Sequence, residues 1–166
     1  ALDEIVVTAQ KREESLQEVA AAVSAYSSDF LEERQMSSIS GLEKYTPNLR
    51  ITNAPNNGTA AQVAIRGGVT INPAITWETT VGMYMNGVYI GKTQGGIFDV
   101  ADVERMEVLR GPQGTLYGRN TLAGAINVVT KKPSDESGVS AEIGIGNYNR
   151  KHTKLNLDIG QTGKLR

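Results

Sequence analysis

The sequence predicts an α+β fold in which short strands and short helices are intermixed and a two-faced β-hairpin follows. Three observations carry this. Alternating apolar and polar residues recur in short runs bounded by glycine, proline and asparagine. Two stretches open with serine-led helix-capping signals. Within the last 33 residues, Ser134 to Arg166, two strands beginning near Val139 and Thr153 alternate with a strict period of two.

From the N-terminus, the β-branched cluster Ile5-Val6-Val7-Thr8 leads into the polar stretch Gln10-Lys11-Arg12-Glu13-Glu14-Ser15, which has little to bury. This reads as a short sticky tag on a mobile tether spanning residues 1–18, and the tag alone would serve equally as the first strand of a domain. The alternation from Val19 to Tyr26 is strand-like. Ser28-Asp29 followed by Glu32-Glu33 then places N-cap residues and acids ahead of a short helix ending near Gln35. A second helix is expected from Ser38 or Ser40. There Ser40 and Glu43 have capping-box spacing, Ile39, Leu42 and Tyr45 share a face, and Pro47 ends the run. Asn53 to Gly58 is turn chemistry, and Gln62 to Arg66 is a strand that Gly67-Gly68 breaks.

An irregular loop holding Trp77 precedes Val81 to Tyr89, a hairpin cornered at Asn86-Gly87, and a glycine-rich loop then runs to Gly96. Val103 to Leu109 and Ala125 to Thr130 are further strands. Gly111-Pro112 turns the chain between them and Lys131-Lys132-Pro133 ends the second. In the terminal segment Val139, Ala141, Ile143 and Ile145 alternate with polar or small residues, as do Thr153, Leu155, Leu157 and Ile159. Joined at Asn147-Tyr148-Asn149, these strands fit either a half-buried hairpin of a soluble sheet or the opening hairpin of an outer-membrane β-barrel.

Composition narrows the function. With Lys+Arg 17 against Asp+Glu 18, the net charge of −1 lacks the basic footprint of nucleic-acid binders, so no nucleic-acid partner is expected. The longest unbroken apolar run is the five residues Val19 to Val23, whereas a membrane-spanning helix needs about 20. No cysteine and a single histidine, His152, leave no disulfide, no thiolate metal site and no Ser-His-Asp or Cys-His set. Glu104 and Glu107 fall on opposite faces of a strand. The glycine-rich Gly111 to Gly118 loop invites a phosphate-binding reading, but no Gly-Lys-Ser/Thr follows it. Neither an enzyme nor a resident metal or cofactor is expected.

The stretch Asp102 to Pro133 includes Val103-Glu104-Arg105-Met106-Glu107-Val108-Leu109-Arg110-Gly111-Pro112-Gln113-Gly114-Thr115-Leu116-Tyr117-Gly118-Arg119. It resembles the closing stretch of the plug domain of TonB-dependent outer-membrane receptors. Ile65-Arg66-Gly67 is similar to that family's Ile-Arg-Gly motif, Met85-Asn86-Gly87-Val88-Tyr89 to its Val-Asp-Gly-Val segment, and Asp3-Glu4-Ile5-Val6-Val7-Thr8-Ala9 to a TonB box. The resemblance covers residues 3–133, and the alternating tail falls where such receptors begin their barrel.

The resemblance implies a plug domain with a small mixed β-sheet and short helices over residues 19–133. The first hairpin of a barrel of about 22 strands would follow at 134–166. It implies a gate for energy-coupled uptake of a scarce substrate, most readily a ferric siderophore or other iron complex. A carbohydrate receptor and a soluble periplasmic binding module are the alternatives. The implied partners are TonB, through the TonB box Glu4, Ile5, Val6, Val7, Thr8 and Ala9, the receptor's own barrel lumen, outer-membrane lipid and a small-molecule substrate. The chain would lie in the bacterial outer membrane with its N-terminus facing the periplasm.

Arg66 and Arg110, each just before a glycine, occupy the positions of plug arginines that pair with barrel glutamates in related receptors, and are expected to latch plug to barrel. Gly67, Gly68, Asn72 and Trp77 are expected to face the substrate, with Tyr45, Tyr84 and Tyr89 either near them or in the core. Five positions depart from the family's pattern: Asn86 stands for an aspartate, Ala20 for a proline, Gly68 for a larger residue, and Leu122-Ala123 for a Gly-Gly pair. Because further barrel strands should follow Arg166, the chain is expected to be a fragment, a truncated product or part of a receptor.

Overall fold

The computed structural model describes residues 6–9, 11–12, 14–36, 38–54, 57–70, 77–91, 102–132 and 137–160. The chain divides into two compact units, Ala1–Thr130 and Lys131–Arg166. Glu4, Ile5, Asn72, Pro55 and Asn56 of the expected turn, and most residues of the expected glycine-rich loop before Gly96 lie outside the described residues.

In the first unit β1 (Val6–Val7) pairs antiparallel with β2 (Glu14–Ser15) across a turn in which Lys11 N–H donates to the Thr8 carbonyl at 2.9 Å. The expected mobile tether is therefore replaced here by a small folded ribbon. The physical reason is that Val7 and Ala9 find an apolar site, where both are almost wholly buried. β3 (Ala22–Ser27) follows and passes into α1 (Ser28–Glu33). The cap of α1 is Ser27 rather than Ser28, its Oγ accepting from Phe30 N–H at 3.4 Å.

The second helix is a 3-10 helix, Ile39–Lys44, which buries Ile39 and Leu42. Their spacing of three suits its three residues per turn. The expected capping box does not form, since Ser38 is the N-cap and makes no side-chain cap bond. Ser40 Oγ lies 2.6 Å from Ser38 Oγ instead, and the Glu43 carboxylate accepts Ile51 N–H at 3.1 Å.

β4 (Leu49–Ala54), β5 (Asn57–Ile65) and β6 (Gly68–Val69) form an antiparallel sheet in that order. Sequence reasoning placed a turn over Asn53 and part of β5, but ladder pairing to a partner strand holds these turn-formers extended, with an irregularity between Asn53 and Ala54. β5 and β6 are joined by Arg66 (φ 51°) and Gly67 (φ 79°), so the chain turns one residue earlier than the Gly67-Gly68 break expected.

β7 (Val81–Met85), β8 (Val88–Tyr89), β9 (Val103–Arg110), the one-turn helix α2 (Gly114–Tyr117) and β10 (Gly124–Thr130) complete the unit. The larger sheet has the order β3-β9-β10-β7-β8. It is mixed, because β10 runs parallel to β7 and antiparallel to β9. Asn86 (φ 50°) and Gly87 (φ 78°) make the hairpin corner. Asn86 also exchanges two 2.9 Å bonds with Thr130, its Oδ1 accepting the backbone N–H and its Nδ2 donating to Oγ1. An aspartate there would keep the acceptor and lose the donor.

Alternation sends successive residues of β9 and β10 to opposite faces. Met106, Val108, Ile126 and Val128 pack with Leu31, Ile39, Leu42, Ile51 and Ile65 on one face. Leu109 and Ala125 pack with Val7, Ala9, Tyr84 and Tyr117 on the other. Fully burying each large aliphatic side chain contributes about 1.5–3 kcal/mol.

In the second unit β11 (Gly138–Gly146) pairs antiparallel with β12 (Arg150–Asp158), in the register Val139↔Leu157 and Ala141↔Leu155. Tyr148 (φ 57°) and Asn149 (φ 59°) turn the chain between them. Val139, Ile143, Leu155 and Leu157 share one face and are 59–77% exposed.

Candidate functional site

The described part of the N-terminal tag is gathered around one buried carboxylate. Glu107 lies in β9 opposite Asn127 of β10 and Ala25 of β3, so its side chain rises from the middle of the larger sheet with no exposure to solvent. Its Oε1 accepts Thr8 N–H at 2.8 Å, Thr8 Oγ1 at 3.1 Å and Arg105 Nε at 2.9 Å, while Oε2 accepts Asn127 Nδ2 at 3.2 Å. Arg105, two residues away on the same face of β9, also pairs with Glu104. Desolvating a carboxylate is costly, and here the guanidinium and three further donors offset that cost.

Tyr117, on the one-turn helix, closes the site by donating from its hydroxyl to the Thr8 carbonyl at 3.3 Å, while its own carbonyl accepts from Tyr84 Oη at 2.7 Å. Burial, then the charge of Glu107, then Tyr84 raise the Tyr117 pKa well above the ordinary phenol value. The hydroxyl therefore stays protonated as a donor across the physiological range. Tyr84 is raised in the same direction by burial and then by Tyr89.

Of the expected tag residues, Val6 is 44% exposed, Val7 and Ala9 are buried against Tyr84, Leu109 and Tyr117, and Thr8 carries the polar contacts. Sequence reasoning considered Glu107 only as one of two acids and missed Arg105 and Asn127 as its partners and Tyr117 as the residue that bonds the Thr8 carbonyl. The available signal was a charged residue inside the otherwise apolar run Met106 to Leu109.

A second cluster lies where β9 ends. Arg110 pairs in register with Ala22 and Gly124, and Arg66 Nη1 comes within 3.3 Å of the position a Cβ on Gly111 would take. The two arginines are thus brought to one end of the sheet. Arg66 is exposed, and Arg110 Nε is buried with no partner among the described residues.

Of the residues expected to face substrate, Gly67 is exposed, Gly68 is half-buried in β6, and Trp77 is 62% exposed. Next to Trp77, Glu78 forms an exposed ion pair with Arg119 at 2.9 Å, and Thr70 Oγ1 accepts Thr80 N–H at 2.9 Å. Tyr84 is a core residue, its ring 4.9 Å from that of Tyr117. Tyr89 is half-buried and accepts from Asn120 Nδ2 at 2.9 Å. Tyr45 packs edge-on against Phe30, with Arg34 5.6 Å from both ring centres. Among the described residues no group of three or more metal-ligating side chains occurs, and no helix is long and apolar enough to cross a membrane.

Comparison with known proteins places these features in context. Residues 15–125 match the family model of the TonB-dependent Receptor Plug Domain. The vitamin B12 transporter BtuB of Vibrio vulnificus is 33% identical over 157 residues, covering 92% of this chain and 25% of that protein. The pesticin receptor of Yersinia pestis is 32% identical over 160 residues, covering 92% of this chain and 22% of that protein. Among solved structures, the ferric yersiniabactin uptake receptor FyuA of Yersinia pestis aligns with a TM-score of 0.72 at 29% identity, over 82% of this chain and 21% of that one. The chain therefore spans a quarter or less of the length of these relatives.

Proposed function

Because the chain belongs to the TonB-dependent receptor plug family, we propose that it is the gate of an outer-membrane receptor that takes up a ferric siderophore or other iron complex with energy supplied through TonB. The observation that carries this reading is the placement of Val6 to Ala9. A β-branched segment of the kind that adds a strand to a partner's sheet edge is held on the plug by one buried polar cluster and a two-residue ribbon. Substrate arrives on the external side, residues 4–9 become available on the periplasmic side, and the partner's pull rearranges the sheet they are anchored to. No chemical step on the substrate is involved.

An iron complex is favoured because the relatives include a ferric yersiniabactin uptake receptor and a catecholate siderophore receptor. The vitamin B12 transporter among them supports cobalamin as the second reading. The exposed apolar face of the terminal hairpin suits strands that meet lipid on one side, and it does not suit a soluble module that must cover Val139 and Ile143.

Arg66 and Arg110 are proposed to pair with carboxylates of the barrel wall. Arg110→Ala in the intact receptor is expected to weaken plug retention by about 3–5 kcal/mol, the usual cost of breaking a buried pair. The urea concentration at which the plug becomes protease-sensitive measures this. An unchanged midpoint with normal gating would exclude the latch.

The function itself is tested by fractionating cells that express the intact gene product and measuring binding of ferric catecholates, ferric hydroxamates, cobalamin and maltodextrins. Outer-membrane recovery with saturable binding of an iron complex is expected. A soluble periplasmic product would overturn the receptor reading, and selective binding of cobalamin or a sugar would reassign the substrate.

A further inference from the structure

We propose that Asn86 is a site of covalent modification, its side-chain amide converting to a carboxylate through a cyclic imide formed with Gly87, and that Thr130 is the residue that restrains the conversion.

The chemistry needs only the chain and water. The backbone nitrogen of Gly87, on losing its proton to a base in solution, bonds to Asn86 Cγ and expels the side-chain nitrogen, which leaves as ammonia. The five-membered imide then takes up one water and opens at either carbonyl, giving an aspartyl or an isoaspartyl residue. A side chain on the residue after an asparagine crowds the attacking nitrogen. Here that residue is glycine, and even a Cβ added to it would meet nothing within 4 Å. Asn86 and Gly87 are both exposed, so water and base reach the corner.

The fold holds the same corner against this reaction. Ring closure requires the amide to turn towards its own backbone, yet both of its ends are tied to Thr130, Oδ1 accepting the N–H and Nδ2 donating to Oγ1, each at 2.9 Å. The backbone is fixed as well. Asn86 N–H donates to the Val128 carbonyl at 2.9 Å and Ile90 N–H to the Met83 carbonyl at 2.8 Å, on either side of the two-residue turn. The amide must leave Thr130 before the ring can close, so the Thr130 hydroxyl sets part of the barrier.

The two products differ in what they keep. An aspartyl side chain still accepts the Thr130 N–H, and the Thr130 hydroxyl, 3.3 Å from Oδ1, turns to donate to it. An isoaspartyl residue lengthens the backbone by a carbon and shortens the side chain by one, so the tight turn no longer closes and the clamp is lost. Thr130 is the last residue of β10 and of the first unit, beside an irregularity in the pairing with β9. Conversion to the isoaspartyl form therefore frays the larger sheet where the chain leaves that unit.

The test incubates the purified full-length receptor, folded and urea-unfolded, at mildly alkaline pH and follows the peptide holding Asn86 by mass spectrometry, with the isoaspartyl form read by enzymatic methylation. The same dipeptide at Asn57-Gly58 falls in β5 and is mapped separately. Thr130→Val removes the hydroxyl but keeps the N–H and the β-branched shape, and Thr130→Ser restores the hydroxyl. Asn48-Leu49 and Asn120-Thr121 report on general loosening.

The expected result is conversion of Asn86 in the folded receptor, faster in Thr130→Val by on the order of tenfold, at the wild-type rate in Thr130→Ser, and fastest in urea, with no change at Asn48 or Asn120. No conversion in folded Thr130→Val over a period in which the unfolded receptor converts would overturn the modification site. Equal rates in wild type and Thr130→Val, or an equal rise at Asn48 and Asn120, would overturn Thr130 as the restraint.

Discussion

Val7→Pro is expected to abolish energised uptake while leaving external substrate binding unchanged. Proline removes the backbone N–H of residue 7 and fixes its φ, so a strand built on Ile5 to Ala9 loses a ladder donor at its centre. Transport that depends on this strand falls to the level of a receptor without its energy source. The structure adds a second consequence. Val7 is wholly buried beside Leu109 and Tyr117 and pairs in register with Glu14, so the proline also weakens the docked ribbon.

The two effects separate in Val7→Ala. That change deletes apolar contacts but keeps the N–H, and it is expected to loosen docking while uptake continues. Uptake by Val7→Pro at the wild-type rate would remove residues 4–9 from the coupling step.

Gly124→Ala is expected to have the largest effect on the fold. Gly124 opens β10, the strand between β9 and β7, and a Cβ there would stand 2.3 Å from the Leu109 carbonyl oxygen and 2.8 Å from Ile65 Cδ1. The first of these is backbone, so relief requires β9 and β10 to part at their Gly124↔Arg110 and Ala125↔Leu109 pairs. Overpacking of this kind costs about 1–3 kcal/mol and sometimes more, and the rigid neighbour places Gly124→Ala at the upper end. Urea denaturation followed by circular dichroism measures it. Gly67→Ala is the control, because a Cβ there meets nothing within 4 Å and the strain comes only from the positive φ of 79°.

What sequence reasoning reached and missed follows from how local each signal is. Asn86-Gly87 dictates its own backbone conformation, so that corner was readable from two residues. Ala125 to Thr130 was readable because Ile126, Val128, Val129 and Thr130 make it a β-branched stretch that Lys131-Lys132-Pro133 ends. β4 was missed although Leu49 to Thr52 alternate, because only two apolar residues precede the turn-forming Asn53 and its extended form is completed by pairing with β5. The helix at Gly114–Tyr117 is a single turn led by glycine, too short to show a period. The Glu107 site was invisible to spacing, because Thr8 and Glu107 are 99 residues apart and meet only when the tag folds onto the sheet. Motif resemblance singled out Arg66 and Arg110 separately; neither their meeting at one end of the sheet nor the positive φ of Arg66 was legible in it.

On the proposed function, this plug gates uptake driven through TonB. The most direct measurement is accumulation of a radiolabelled ferric siderophore by cells carrying the intact receptor, with and without a functional TonB, at equal receptor levels in the outer membrane. Accumulation confined to cells with TonB, alongside equal surface binding in both, is the result expected. Equal accumulation in the two strains would show that uptake through this receptor is not driven through TonB.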